Sequence, residues 1–175
     1  VTQVQNLPKE MQQTLDMNAH IEKLAKKYCS SRSIFYIGRN TDYAIALEGA
    51  LKMKEISYIH AESYPAGELK HGTIALIREH QPVIALCCNE EIMDKTINNI
   101  TELKTRGAEV LVVTRKGNQK MVSITDDIIL IPNGNSLFSA VLEIIPLQLL
   151  AYYVAKENYC DIDKPKNLAK SVTVE

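Results

Sequence analysis

The chain alternates short, uniformly apolar runs with longer segments in which apolar residues recur every three or four positions. The apolar runs are residues 33–38, 82–88, 108–114 and 127–132. Runs without polar alternation are typical of strands that are covered on both faces. Because helical patterns separate them, the order predicts β-α-β units with right-handed crossovers. We therefore predict an α/β fold, a three-layer αβα sandwich around an open, mainly parallel sheet.

Two of the helical segments carry clear end signals. Residues 41–59 predict a helix after the first strand, with Thr41 or Asp42 as its N-cap. Residues 89–107 predict a second helix that Asn89 caps, with acidic residues in its first turn. Both helices follow strands, as the β-α-β order requires.

Three further segments complete the pattern. Residues 136–158 predict a long, largely apolar helix that Pro146 should kink or break. Residues 8–28 predict one amphipathic helix before the first strand. Residues 161–175 are polar and without periodicity, which by composition alone favours a solvated terminus.

Composition narrows the classes of function. The 175 residues carry a net charge of −1, which gives no reason to expect nucleic acid or an anionic membrane as a partner. The apolar stretches fall short of the ~20 residues of a membrane helix, and the first residues lack a signal-peptide pattern. No C-x-x-C pair or metal-binding histidine spacing occurs, so we expect no metal, and free thiols suit a reducing cytosol. The cysteines are Cys29, Cys87, Cys88 and Cys160.

Charged residues share one face of the helix predicted over residues 41–59. Glu48 and Lys52 are four positions apart, and Lys52 and Glu55 are three apart. By spacing alone, a solvated stripe of ion pairs is the commoner explanation. Two features favour a site instead. The helix body is rich in small residues that allow close packing, and its start should lie at the carboxyl edge of the sheet, where ligands bind in such folds.

Two loops are also candidates for function. Glu68, Lys70 and His71 are crowded between two glycines, either in a solvated turn or at the rim of a site. Residues 38–43 place a glycine and polar groups at a helix N-terminus, which favours anions. That loop lacks the G-x-G-x-x-G and P-loop patterns, so ordinary capping is the stronger interpretation.

Two long motifs carry a resemblance to a known family. Residues 46–77, ALEGALKMKEISYIHAESYPAGELKHGTIALI, and residues 165–175, PKNLAKSVTVE, closely resemble the glucosamine-6-phosphate synthase family. The match is to the second of two sugar-isomerase (SIS) subdomains, which have a flavodoxin-like architecture. It implies three parts: a connecting amphipathic helix at 1–32, the SIS subdomain at 33–160, and a C-terminal tail at 161–175 that completes the active site.

The resemblance also implies an activity for the whole enzyme. Members convert fructose 6-phosphate and glutamine to glucosamine 6-phosphate and glutamate, for UDP-N-acetylglucosamine synthesis, without a cofactor. The implied partners are the sugar phosphate, a glutaminase domain and a first SIS subdomain of the same chain. A cytoplasmic homodimer is expected, in which His71 completes the active site of the neighbouring subunit.

The family's roles transfer to this sequence motif by motif. Glu55 matches the base that moves a proton between C1 and C2, His71 matches the group that opens the sugar ring, and Lys170 matches the Schiff-base lysine. These residue types suit that chemistry, because the steps require a carboxylate, a group that titrates near neutrality and an amine. Lys52 is implied as a supporting catalytic residue. Ala169 is implied in substrate binding, together with Lys170 and Glu55. Glu48 and Lys166 are implied as possible supporting residues.

Departures from the family limit this prediction. Lys166 stands where bacterial members have arginine. Lysine can still bind an anion, but it cannot form the two parallel hydrogen bonds of a guanidinium group. Thr73 stands where they have proline. The family's serine- and threonine-rich phosphate loop does not occur, so we expect the chain alone neither to bind fructose 6-phosphate well nor to convert it. The alternatives are a phosphosugar isomerase that uses no ammonia and an SIS module that senses a sugar phosphate.

Overall fold

The computed structural model describes residues 2–125, 127–134 and 138–168, and their strands form a single parallel sheet. The strand order is β2-β1-β3-β4-β5. The strands are β1 (Ser33–Gly38), β2 (His60–Pro65), β3 (Pro82–Cys87), β4 (Glu109–Arg115) and β5 (Ile128–Ile131). From β1 the chain adds β2 on one side and then β3, β4 and β5 on the other, so the topological switch point lies between β1 and β3. All neighbouring strands are parallel, which confirms the predicted open parallel sheet.

Helices cover both faces of the sheet. They are α1 (Thr2–Leu15), α2 (Asn18–Tyr28), α3 (Thr41–Ser57), α4 (Met93–Thr105), α5 (Gln119–Val122) and α6 (Ser139–Glu157), with short 3-10 helices at Ala66–His71, Thr73–Leu76 and Glu90–Ile92. The prediction of a single helix over residues 8–28 is wrong, because two helices occupy this part of the chain. A turn at Asp16 and Met17, in which the Met17 N–H donates to the Thr14 carbonyl, separates α1 from α2.

The core divides into two clusters, one on each face of the sheet. Alternate strand residues point to opposite faces, so neighbours such as Tyr36 and Ile37 belong to different clusters. One cluster packs β1, β3, β4 and β5 against α2, α3 and α6. The other packs the opposite face against α4 and the 3-10 helix Ala66–His71. The three-layer αβα prediction is therefore confirmed.

The edge strand β2 is absent from the sequence prediction. The helix predicted to run to residue 59 ends at Ser57, where Tyr58 adopts a left-handed conformation with φ of 60°. The chain then pairs in parallel with β1, from His60 opposite Ser33 to Pro65 opposite Gly38. An edge strand is covered less than a central one, so β2 is polar and lacks the apolar run of the other strands.

The apolar helix α6 is a core element. It runs continuously through the buried Pro146, so the predicted break does not occur. Its length and composition would suffice to cross a membrane, but 61% of its apolar window is buried inside the protein. The helix is buried because it packs against α2 and α3.

The end signals of the helix after β3 are confirmed in part. The Asn89 side chain accepts a hydrogen bond from the Glu91 N–H (3.1 Å), although the first turn is a 3-10 helix and α4 begins only at Met93. Gly107 follows α4 with φ of 86°, a conformation that favours glycine. Cys87 and Cys88 are buried free thiols.

The contact between α3 and α6 depends on Gly49. A Cβ at this position would lie 2.6 Å from Leu147 Cδ1 and 3.0 Å from Tyr36 Cε1. We expect Gly49→Ala to lower the free energy of unfolding by about 1–3 kcal/mol despite the higher helix propensity of alanine. Chemical denaturation of Gly49→Ala, of Leu147→Ala and of the double variant would measure this. The double variant should lose less than the sum of the two single changes, because truncating Leu147 makes room for the new methyl group.

Candidate active site

Three charged side chains meet on the exposed face of α3. Lys52 Nζ lies 2.6 Å from Glu55 Oε2 and 3.6 Å from Glu48 Oε1. The hydrogen bond to Glu55 raises the pKa of Lys52, and the charges of Glu55 and Glu48 act in the same direction. Only 27% of the Glu55 side chain is exposed, against 42% for Glu48. The predicted grouping on one helix face is therefore confirmed, with Glu55 the more sheltered carboxylate.

This group lies away from the carboxyl edge of the sheet. The helix α3 runs antiparallel to the strands, and Glu55 is 14 residues after its first residue, Thr41. At 1.5 Å per residue the two positions are about 21 Å apart. The start of α3 lies at that edge, as the β-α-β order predicts, but the charged residues lie near the opposite end of the helix.

The carboxyl edge between β1 and β3 is filled by the protein itself. The Asp42 carboxylate accepts hydrogen bonds from the backbone N–H groups of Cys88 (2.9 Å) and Asn89 (3.3 Å). Asp42 thus occupies donors that a bound anion would otherwise use, and it does not serve as the predicted helix cap. A Cβ on Gly38 would lie 2.5 Å from the Asp42 backbone, so this glycine serves close packing.

A buried charge cluster beside Asp42 was not anticipated. Glu143, on α6, is 0% exposed, and neither of its oxygens has a hydrogen-bond partner of good geometry. Burial and the nearby Asp42 raise its pKa to about 7, while Ser139, Arg115 and Cys88 act weakly in the opposite direction. The available signal was a single carboxylate, Glu143, within the apolar run of residues 140–155.

The loop that carries His71 projects into solvent. The 3-10 helix Ala66–His71 is held by the buried Ala66 and Leu69, and Gly72 follows with φ of 141°. The His71 side chain is 75% exposed, and its Nε2 lies 3.9 Å from Oε2 of Glu68 on the same loop. Within the described part of this chain, no ion pair joins His71 to the charged group on α3.

The C-terminal segment returns to the end of α3. The Lys166 N–H donates a hydrogen bond to the Tyr58 hydroxyl (2.7 Å), and Lys166 Nζ lies 5.8 Å from the centre of the Tyr58 ring. Tyr58 directly follows α3, so the contact places Lys166 at the end of the helix that carries Glu55. Sequence reasoning missed Tyr58. The catalytic and substrate-binding predictions for Ala169 and Lys170 lie outside the described residues.

A metal centre has no support in the described part of the chain. No group of three or more His, Cys, Asp or Glu side chains lies there with a geometry that would hold an ion. The charged group on α3 offers two carboxylates and one ammonium group.

Comparison with known proteins identifies a family and a set of relatives. The family model of the SIS domain matches residues 27–157. Proteins named glutamine–fructose-6-phosphate aminotransferase [isomerizing] are 49% identical over 175 residues in Caldanaerobacter subterraneus subsp. tengcongensis and 51% identical over 169 residues in Clostridium acetobutylicum. These alignments cover 100% and 97% of this chain, but the chain spans only 29% and 28% of those relatives.

A solved structure supports the same relationship. The C-terminal domain of glucosamine-fructose-6-phosphate aminotransferase from Francisella tularensis superposes with a TM-score of 0.88 at 36% sequence identity. The match covers 93% of this chain and 46% of that domain. The chain is therefore similar to about half of that longer C-terminal domain.

Proposed function

Because the chain belongs to the SIS domain family, we propose that it is the second SIS subdomain of an isomerizing glutamine–fructose-6-phosphate aminotransferase. The full-length protein would convert fructose 6-phosphate and glutamine to glucosamine 6-phosphate and glutamate. A glutaminase domain and a first SIS subdomain of the same chain would supply the ammonia and the phosphate site. The observation that carries the proposal is the return of the C-terminal segment to the end of the helix that bears Glu55.

The proposed chemistry divides the reaction among three groups. Lys170 would condense with the C2 ketone of the open-chain sugar and release one water, and ammonia would then replace the lysine amine. Glu55 would remove a proton from C1 and return one to C2, which a single carboxylate on one face can do. Lys52, held 2.6 Å from Glu55, would stabilise negative charge as it develops on the substrate oxygen. Glu48 would keep Lys52 in place.

His71 requires a partner subunit in this proposal. The His71 side chain is 75% exposed and, among the described residues, has no ion pair with the charged group on α3, which suits a side chain that acts on a neighbouring molecule. We propose a homodimer in which His71 of one subunit helps to open the sugar ring in the site of the other. The four free cysteines suit a reducing compartment, so we place the enzyme in the cytoplasm, where its product would feed UDP-N-acetylglucosamine synthesis.

A mixed-dimer experiment tests both the activity and the shared site. Full-length Glu55→Gln and His71→Ala proteins should each form little glucosamine 6-phosphate. Unfolded together at equal amounts and refolded, they should recover about a quarter of wild-type activity, because half of the dimers would contain one intact site. Each variant treated alone is the matched control.

Other outcomes of that experiment would reject specific parts of the proposal. If the mixture stayed inactive while refolded wild-type protein recovered, His71 would not act across the interface. If the wild-type protein formed glucose 6-phosphate without using glutamine, the ammonia-free phosphosugar isomerase would replace the proposed activity. If it formed neither product, a sensing module would replace it. The isolated 175-residue chain should be inactive, because it lacks the phosphate loop.

A further inference from the structure

The segment after α6 follows a defined path back to α3. Tyr159 takes a left-handed conformation with φ of 55°, and the Asp161 carboxylate accepts hydrogen bonds from the N–H groups of Asp163 (3.2 Å) and Lys164 (3.0 Å). Two residues later, Lys166 reaches Tyr58, which is 108 positions earlier in the chain. The turn at Asp161 thus directs the segment onto the C-terminal end of α3.

Tyr58 contacts Lys166 in two different ways. Its hydroxyl accepts the Lys166 N–H at 2.7 Å, and its ring presents a face 5.8 Å from the Lys166 ammonium group. A cation over an aromatic face and a hydrogen bond to the same residue restrict both the backbone and the side chain of Lys166. The tyrosine is 42% exposed, so burial alone does not explain a large aromatic residue at this position.

The backbone conformation of Tyr58 supports a specific role. With φ of 60° it occupies the left-handed C-terminal position of α3, which glycine or asparagine fills with less strain. Residues that keep such a conformation in spite of its cost cluster at functional sites. At Tyr58 the compensating gain is the pair of contacts with Lys166.

We propose that Tyr58 is a positioning residue that fixes the start of the terminal segment beside Glu55. The inference rests on the proposed function, since it concerns the amine of Lys170. Lys170 follows Lys166 by four residues, so its Cα lies within about 14 Å of the Lys166 Cα. Holding Lys166 at the end of α3 therefore keeps the amine within reach of a substrate bound at Glu55. Tyr58 itself need not touch the substrate.

The contact can be tested without reference to catalysis. In the full-length protein, Tyr58→Phe removes the hydroxyl and keeps the ring, and Tyr58→Leu removes both. Hydrogen–deuterium exchange of the peptide that contains Lys166 should be about fivefold faster in Tyr58→Phe and faster still in Tyr58→Leu, because one hydrogen bond contributes about 1 kcal/mol. Tyr159→Phe is the matched control, since Tyr159 is 97% exposed, and its exchange should not change. Unchanged exchange in Tyr58→Leu would overturn the proposal.

Steady-state kinetics separate positioning from a general loss of structure. Tyr58→Phe should lower kcat by up to about fivefold and leave the KM for fructose 6-phosphate within about twofold, because the phosphate site lies elsewhere. Tyr58→Leu should lower kcat further, and thermal unfolding of both variants should match that of wild type. Borohydride trapping with fructose 6-phosphate should label Lys170 in Tyr58→Phe at a correspondingly reduced rate. Faster exchange with unchanged kcat would reject the positioning role.

Failure of this inference can be distinguished from failure of the proposed function. If Lys170→Ala abolishes product formation while Tyr58→Leu leaves kcat unchanged, the amine role stands and the positioning role is rejected. If Lys170→Ala itself retains wild-type kcat, the proposed function of the lysine fails, and the positioning role falls with it.

Discussion

Replacing Glu55 by glutamine in the full-length protein should lower kcat for glucosamine 6-phosphate formation by about 10²–10⁴-fold, the usual contribution of a general base. Glutamine keeps the shape of the side chain but cannot accept the C1 proton. The KM for fructose 6-phosphate should change by less than about threefold, because the lost interaction acts mainly in the transition state. Product formation at saturating glutamine would measure both parameters.

A second readout locates the defect at the proton transfer. Borohydride should still trap the sugar on Lys170 in Glu55→Gln, whereas the C1 hydrogen of the substrate should no longer exchange with solvent deuterium. Glu79→Gln, at an exposed residue in the turn before β3, is the matched control and should retain wild-type kcat. A Glu55→Gln protein within threefold of wild type, or one that still exchanges the C1 hydrogen, would show that another group is the base.

Replacing Glu143 by glutamine should stabilise the protein, and the gain should depend on pH. The folded state holds the pKa of this carboxyl at about 7, whereas its ordinary value is 4.5. Ionisation is therefore easier in the unfolded chain, and Glu143 destabilises the fold progressively as pH rises from about 4.5 to about 7. The shift corresponds to at most about 3 kcal/mol above pH 7. Glutamine resembles the protonated acid and removes this penalty.

Thermal unfolding of the wild-type and Glu143→Gln proteins between pH 4.5 and 8 would measure the effect. The Tm difference should be near zero at pH 4.5, grow through pH 6 and level off above pH 7. The exposed Glu79→Gln change should leave the midpoint unchanged at every pH. A Tm difference independent of pH, or a lower Tm for Glu143→Gln at pH 8, would mean that Glu143 is charged and compensated in the fold, with Arg115 as the first candidate partner.

The regular elements were predictable where local signals act alone. Three central strands stand out because burial on both faces demands uninterrupted apolar runs, and Asn89 and Gly107 mark helix ends through their own backbone preferences. The edge strand β2 was missed because most of its side chains are only partly buried. Its sequence therefore lacks the apolar run that marks a central strand. The helix break at Asp16 and Met17 was missed because the amphipathic pattern continues across it.

The candidate site divides in the same way. The grouping of Glu48, Lys52 and Glu55 follows from helix periodicity and could be predicted before any fold was known. Their distance from the carboxyl edge of the sheet follows from their position along α3 and the β-α-β order, both of which the sequence predicts. The contact of Lys166 with Tyr58 at the far end of this helix could not be predicted in that way. The burial of Glu143 beside Asp42 depends on the packing of α6 against the strand ends.

The sequence alone determined the layer architecture and the types of chemical group on α3, because apolar periodicity and helical spacing are local properties. Only the tertiary structure decided which distant groups meet. Tyr58 and Lys166 are 108 positions apart and come together through the path of the chain after α6. No local pattern encodes such a contact, since it arises from the packing of whole elements on a shared core.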